Sequence, residues 1–297
     1  MKKIVKILGG LGNQMFQYAL FLRLKHDAPS VQLMLDIHSF CGYNHHHGYQ
    51  LDHAFGIDAP LASVAEVSRL AYPYVHYRLW QVMSRCMPRR STMCCEPADG
   101  RFMPEALTRT HDTYYDGYWL DERYFSCIAP EIRQAFTPAH IDQRNADFIL
   151  SLHAEPSISL HVRRGDYVDH PLYKGICDLD YYRRAIAEMD RQLTSRHINA
   201  ADLHFCIFSN DPEWCRTHIL PLLQGRRHTF VDWNSGTASH LDITLMSHCR
   251  HHIIANSSFS WWGAWLNPDS QKIVVCPTRW LNDTSSRLDF PADWTHV

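Results

Sequence analysis

The sequence predicts an α/β protein built as two Rossmann-like domains facing one cleft. Three observations carry that expectation. Short β-branched runs alternate with helical periodicity through the second half of the chain. The chain opens on a strand, a glycine-rich turn and a helix, the beginning of a βαβ unit. Its 297 residues, 45% hydrophobic and 20% charged, suffice for two medium-sized cores and argue against disorder.

Taken in order, residues 3–8 (KIVKIL) read as a strand, Gly9-Gly10-Leu11-Gly12 as the turn, and 13–25 as a helix. A second strand, 31–35, ends at Asp36. Residues 39–60 are loop-like, with Gly42, Gly48, Gly56 and Pro60. Helical periodicity returns over 61–87, broken near Pro73, and 88–113 reads as irregular. Asp116-Gly117-Tyr118-Trp119 introduces an aromatic segment before the amphipathic EIRQAF. Thr137-Pro138 and Glu155-Pro156 bracket a helix over 140–153, where the domain boundary is expected, giving domains 1–150 and 151–297. The second domain then reads as strands 157–162, 203–208, 228–232, 252–255 and 272–276, separated by helices 180–193, 212–223, 238–249 and 259–266. Five strands alternating with four helices predict a parallel, doubly wound sheet.

Composition removes several function classes. A formal net charge of -2 gives no global basic field, which disfavours non-specific nucleic-acid binding. The first apolar run stops at Leu8, too short for a signal-peptide core, and no window reaches the length of a membrane span. A soluble, cytoplasmic protein is expected, at most peripherally attached at an inner membrane and with no stable insertion. The ten cysteines are scattered without a C-x-x-C, and Cys206 and Cys276 fall inside predicted strands, so buried reduced thiols are expected. Among 21 histidines, His45-His46-His47 lies in a loop and His251-His252 begins a strand. Neither shows metal-ligand spacing, and no metal is expected.

Chemistry gathers at three strand ends of the second domain. The first carries His161, Arg163, Arg164 and Asp166, the second Ser209, Asn210 and Asp211, the fourth Asn256, Ser257, Ser258 and Ser260. Paired arginines suit a diphosphate because guanidinium forks bind phosphate oxygens bidentately. Hydroxyls and N–H groups at a helix N-terminus also attract anions. The plainer readings are a surface salt-bridge cluster and an ordinary N-cap. Trp262 and Trp265, at helical spacing, read as packing residues. In the first domain, Gly10-x-Gly12-x-x-Met15 lacks the third glycine of the dinucleotide fingerprint, though Asp36 stands where a ribose-binding acid would. A dinucleotide-dependent oxidoreductase therefore remains an alternative.

Four segments, GGLGNQMFQYA (9–19), HVRRGDY (161–167), FSND (208–211) and NSSFSWWGAWL (256–266), together resemble the α-1,2-fucosyltransferases. The likeness runs from the first strand to about Pro277, and residues 39–115 carry no family signature. The resemblance implies a GT-B-like fold and an inverting, metal-independent galactoside α-1,2-fucosyltransferase. It would take GDP-β-L-fucose as donor, need no cofactor, and use a β-galactoside acceptor glycan. It implies an N-terminal acceptor-side domain and a C-terminal GDP-fucose-binding domain. His161 and Arg163 would hold the pyrophosphate, with Arg163 the main stabiliser of the leaving group. Ser257, Ser258 and Phe259 would cradle phosphates, Asp211 and Asp232 would reach ribose or guanine, and Gly12, Asn13 and Gln14 would reach across from the first domain. Without the luminal anchor of animal members, a bacterial enzyme of O-antigen or capsule biosynthesis is expected.

Physical chemistry reaches the same place from the residues. A departing diphosphate gains charge in the transition state, and preorganised cationic donors or a metal can stabilise it. This chain supplies arginines and lacks an isolated Asp-x-Asp. The general base stays open between Asp166, His161 and a first-domain residue, and Asp166 has the competing role of holding an arginine in place. A catalytically inactive GDP-sugar-binding protein is the non-enzyme alternative.

Overall fold

The first β-branched run forms strand β1 (Lys2–Lys6), and the glycine turn after it leads into helix α1 (Leu11–Asp27). The computed structural model describes residues 1–43 and 46–297; His45 of the predicted histidine run lies outside the described residues. The chain divides into two units, Met1–Ala139 and His140–Val297. The division therefore falls before the helix 143–154 rather than at residue 150, and that helix belongs whole to the second unit.

In the first unit, β2 (Gln32–Asp36) is followed by α2 (Leu51–Phe55), α3 (Val64–Leu70) and α4 (Tyr77–Cys86). Then come β3 (Met93–Cys95), β4 (Thr113–Asp116) and α5 (Ala129–Ala135). All strands pair in parallel, in the order β2-β1-β4-β3. The stretch expected to be irregular thus contributes β3, which is three residues long and follows a Pro/Arg-rich turn without alternation. Ile4 and Val5 of β1 are wholly buried. Lys6 is buried too, its charge met by Asp116 at 2.9 Å and by the Trp80 ring at 4.3 Å. Just past β3, Glu96 accepts the backbone N–H groups of Tyr118 (2.7 Å) and Trp119 (2.8 Å). Burial pushes its carboxyl up to about 7 against those donors.

The second unit runs α6 (Gln143–Ala154), β5 (Ser157–Val162), α7 (Leu179–Ser195), β6 (His204–Ser209) and α8 (Pro212–Trp214). It continues with β7 (His228–Val231), α9 (Leu241–Ser247), β8 (His251–Ile253), α10 (Ser258–Leu266), β9 (Val274–Cys276) and β10 (Thr295–His296). Its sheet is parallel throughout, in the order β10-β9-β8-β5-β6-β7. The sequence reading missed β10, a two-residue edge strand with no alternation to betray it. The expected helix over 212–223 departs from α geometry after α8, passing through a π turn (Cys215–Ile219) and a 3-10 turn (Leu220–Leu223) around Pro221.

Strand β5 is buried along its whole length, as a central parallel strand must be. Ile158, Leu160, Phe205, Ile207 and Ile253 meet Tyr181, Tyr182, Ala185 and Met189 of α7 in one apolar cluster. Asp178 caps α7 by accepting the Tyr181 N–H at 2.9 Å, and Asp142 caps α6 through Asn145 at 3.0 Å. Trp262 and Trp265 are packing residues as expected, and Trp261 joins them. The C-terminal segment lies against this group, with Trp294 5.6 Å from Trp261, Trp280 stacked on Phe290 at 4.5 Å, and β10 beside β9. The cysteines are all free; Cys94, Cys206, Cys215, Cys249 and Cys276 are buried, whereas Cys41, Cys86 and Cys127 are exposed, contrary to a wholly buried set.

Candidate functional site

Strand β5 lies between β6 and β8. The chain adds β6 and β7 on one side of it, then returns to place β8 on the other. That reversal leaves a crevice at the carboxyl ends of β5 and β8, where open α/β sheets receive ligands. His161, Arg163 and Arg164 come off one lip. Asn256, Ser257 and the first turn of α10 come off the other.

The two adjacent arginines have different surroundings. Arg164 is held: its N–H donates to Asn210 Oδ1 (2.9 Å), its Nε to Asp211 Oδ2 (3.1 Å), and its guanidinium lies 4.1 Å from the Trp214 ring. Asp211 also accepts the Trp214 N–H (3.1 Å) and donates its own N–H to Ser209 Oγ (2.9 Å). Ser209, Asn210 and Asp211 therefore form a bracket around Arg164. Gly165 completes the turn at φ +59, where an added Cβ would sit 2.6 Å from Asn210 Nδ2.

Arg163 is held at one end only. Its Nη2 donates to Asp166 Oδ1 at 2.7 Å and its guanidinium lies 5.1 Å from the Tyr167 ring, but its Nε is buried without a hydrogen-bond partner. A buried donor left unpaired costs on the order of 1–3 kcal/mol. His161 repeats the pattern. It is 6% exposed, and its Nδ1 is likewise buried and unpartnered. Burial first, and the Arg163 charge second, pull its pKa down to about 3, so the ring is neutral at physiological pH. The Phe259 ring lies 5.8 Å from it. Two unpaired donor-capable nitrogens on one strand end make a site awaiting an acceptor-rich ligand.

Across the crevice, Ser257 precedes α10 without capping it through its side chain, which meets the Tyr167 phenol instead. The positive end of α10, with Ser258 and Phe259 half-buried in its first turn, thus carries no side-chain cap. Asn256 is buried and donates to the Trp280 carbonyl (3.0 Å), and Ser260 is wholly buried with its hydroxyl on the Ala255 and Ser257 carbonyls. Both serve the local fold.

A cavity of 220 Å³ opens beside these groups, lined by Arg163, Arg164, Tyr167, Tyr173, Lys174 and Asn256 among others. Tyr173 stacks on Tyr167 at 4.3 Å and on His170 at 4.7 Å. Sequence reasoning missed Tyr173 and Lys174, which sit in a loop without periodicity; the only signal was aromatic and basic density just after HVRRGDY. A cavity of 810 Å³, lined by His153, His248 and Asp269 among others, lies at the amino ends of the same strands. Helix carboxyl ends gather there, which disfavours an anion.

Three other predicted residues have structural work of their own. Gln14 is fully buried; its Nε2 donates to the Gly9 (2.9 Å) and Gly48 (2.7 Å) carbonyls and its Oε1 accepts the Gln50 N–H (3.0 Å). Gly12 is also buried beside it, and Asn13 is half-buried. Asp36 accepts from Tyr114 Oη (2.6 Å) and the His38 N–H (3.0 Å), so this carboxylate is engaged where a dinucleotide ribose would need it. Asp232 pairs with Arg216 at 3.2 Å. Among the described residues, no helix is long and apolar enough to cross a membrane.

The sequence model of the family described as "Glycosyl transferase family 11" matches residues 101–297. An α-1,2-colitosyltransferase of Escherichia coli is 32% identical over 99% of this chain and 98% of its own. A galactoside alpha-(1,2)-fucosyltransferase 2 of Gorilla gorilla gorilla is 26% identical over 88% of this chain and 68% of its own. Among solved structures, the fucosyltransferase NodZ from Bradyrhizobium superposes with a TM-score of 0.52 at 14% identity, covering 90% of this chain and 93% of that one. That likeness bears on the fold, which is GT-B-like.

Proposed function

The chain belongs to glycosyl transferase family 11, and from that premise we propose that it moves L-fucose from GDP-β-L-fucose to O2 of a terminal β-galactoside. The observation that carries the reading is the pair of unpartnered nitrogens, Arg163 Nε and His161 Nδ1, at the β5–β8 crevice. In the reaction the acceptor hydroxyl forms a bond to C1, the C1–O bond to the diphosphate breaks, and GDP leaves with the bonding pair. Arg163 meets the charge that grows on the leaving oxygens, and the first turn of α10 meets the same diphosphate through Ser257, Ser258 and Phe259. His161, neutral by burial, serves as a hydrogen-bond donor to it.

Asp166 holds Arg163 by its Nη2 and is 56% exposed on its side chain, a carboxylate also open to solvent and able to receive the acceptor proton. Arg164, Ser209, Asn210 and Asp211 act on the donor by fixing the turn that presents Arg163. The reaction needs no metal or organic cofactor in this reading, because the charge is met by Arg163 and a helix end. The donor β-linkage and an α-linked product require inversion by a single in-line displacement, with no covalent fucosyl-enzyme.

A second donor is favoured by one observation: the relative matched over its whole length is a colitosyltransferase. Colitose is L-fucose without its 3-hydroxyl, so GDP-colitose would fill the same diphosphate site. The test is to incubate the protein with GDP-fucose or GDP-colitose and a panel of β-galactosides, and to read the product by NMR. An α-anomeric sugar on O2 of galactose supports the proposal, and the faster donor names the sugar. A β-anomer, attachment at O3 or O4, or tight GDP-sugar binding without any turnover would overturn it.

A further inference from the structure

Helix α4 holds to its own unit by one side only. Tyr77 packs edge-on against Tyr43 at 4.8 Å and stacks on Trp80 at 5.5 Å, and the Trp80 ring carries the Lys6 ammonium. At about 100° per residue, Leu79, Val82, Met83 and Cys86 turn to the other side. None of the ten residues of α4 is buried. Val82 is 63% exposed, Leu79 50%, Val75 42% and Met83 39%. Of the eleven large apolar side chains exposed among the described residues, these four fall within nine positions, so they form a patch rather than the usual scatter.

The charge around the patch has one sign. Arg69, Arg78, Arg85, Arg89 and Arg90 lie between Glu66 and Glu96, and no acidic residue stands between those two glutamates. The whole chain is formally at -2, so this run is a local reversal. Arg78 and Arg85, seven residues apart, flank the Val82 edge of the stripe, and Arg89 is exposed just beyond the helix. An apolar stripe edged by arginines, on a helix too short and too polar to span, is the composition of a helix that lies in a lipid interface. A second copy of the chain fits this face poorly, because a two-fold interface would bring the same arginines against each other.

We infer that the outward face of α4 docks the protein on an anionic lipid bilayer, with Leu79, Val82 and Met83 in the headgroup boundary and Arg78, Arg85 and Arg89 on the lipid phosphates. The test is co-sedimentation of the full chain with vesicles of phosphatidylcholine alone or of equal parts phosphatidylcholine and phosphatidylglycerol. The wild type should bind the anionic vesicles, be released by high salt, and leave the neutral ones free. The double variant Arg78→Gln/Arg85→Gln should partition roughly thirtyfold less, since each arginine near an anionic surface contributes about 1 kcal/mol. Val82→Glu should lose binding comparably, while circular dichroism, thermal midpoint and transfer to a soluble β-galactoside stay at wild-type levels. Equal binding to neutral vesicles, binding to neither, or wild-type partition of both variants would overturn the inference. A dimer that Val82→Glu dissolves, in a protein that ignores vesicles, would assign the face to a second copy and overturn it as well.

Discussion

Replacing Arg163 with lysine separates charge from geometry. Lysine keeps one positive charge but offers a compact ammonium in place of a planar fork. In this structure the fork is already divided, with Nη2 on Asp166 at 2.7 Å and Nε buried and unpaired. A lysine Nζ would be drawn to Asp166 and could not also supply the second donor. The expected loss is that of one preorganised donor to a developing oxyanion, roughly 100- to 1000-fold in kcat, or about 2.7–4 kcal/mol. The matched control is Arg164→Lys, since the Arg164 side chain, though it lines the same cavity, is already paired with Asp211 and packed on Trp214. That change should act mainly on stability, by about 1 kcal/mol from the lost cation–π and hydrogen-bond contacts, with turnover falling only a few-fold. Initial rates of GDP release at saturating acceptor, with kcat and KM resolved, decide the matter, alongside calorimetric GDP affinity. Near-wild-type kcat in Arg163→Lys, or a larger kcat loss in Arg164→Lys than in Arg163→Lys, would refute the assignment of the two arginines.

Other expectations are open to direct measurement. Activity should survive exhaustive dialysis against EDTA; a loss that Mn²⁺ or Mg²⁺ restores would return attention to the histidine-rich loop. Gly165→Ala places a Cβ on Asn210 at positive φ, and should lower unfolding free energy by about 1 kcal/mol or more in a urea titration. Burial raises the Asp242 carboxyl to about 7, so the folded state keeps a proton that the unfolded chain releases above its usual value. Its contribution is complete at low pH and is lost as pH rises toward 7. Asp242→Asn, which cannot ionise, should therefore gain on the wild type by roughly 2–3 kcal/mol between about pH 5 and about pH 8, read as thermal midpoints across that range. A constant difference across the series would contradict the buried, protonated Asp242.

The second sheet was legible because its central strands are long, β-branched and bounded by turn residues, and the serines before α10 mark a helix start. Strands β3 (MCC), β4 (TYYD) and the two-residue β10 were not, since they lack the β-branched runs, HIIA and KIVVC, that marked the equally short β8 and β9. The bend after α8 follows from Pro221, whose effect on the turn type depends on how the following residues pack. Sequence placed Arg163, Arg164, Asn210 and Asp211 at neighbouring strand ends, and they are neighbours. It could not say which arginine stays available, because that depends on Asn210, Asp211 and Trp214 closing over one of them in space. Gln14 and Asp36 carry the same lesson. A polar residue beside a glycine turn reads as ligand-facing until its hydrogen bonds to Gly48, Gln50 or Tyr114 are seen.

The last residues of the chain reach back to the middle of the second unit. Trp294 packs on Trp261 of α10, Asn256 is tied to the Trp280 carbonyl, and β10 forms the sheet's edge only when residues 295–296 pair with β9. During synthesis, then, the strand end bearing Arg163 leaves the ribosome long before the segment that braces the opposite lip of the crevice. A nascent chain stalled short of Trp294 would carry both lips of the crevice, Arg163 and the first turn of α10, and still lack the bracing for α10. The bracing of α10 is in this sense timed to the emergence of residues 280–296, and a nick after Trp280 should loosen it without touching Arg163.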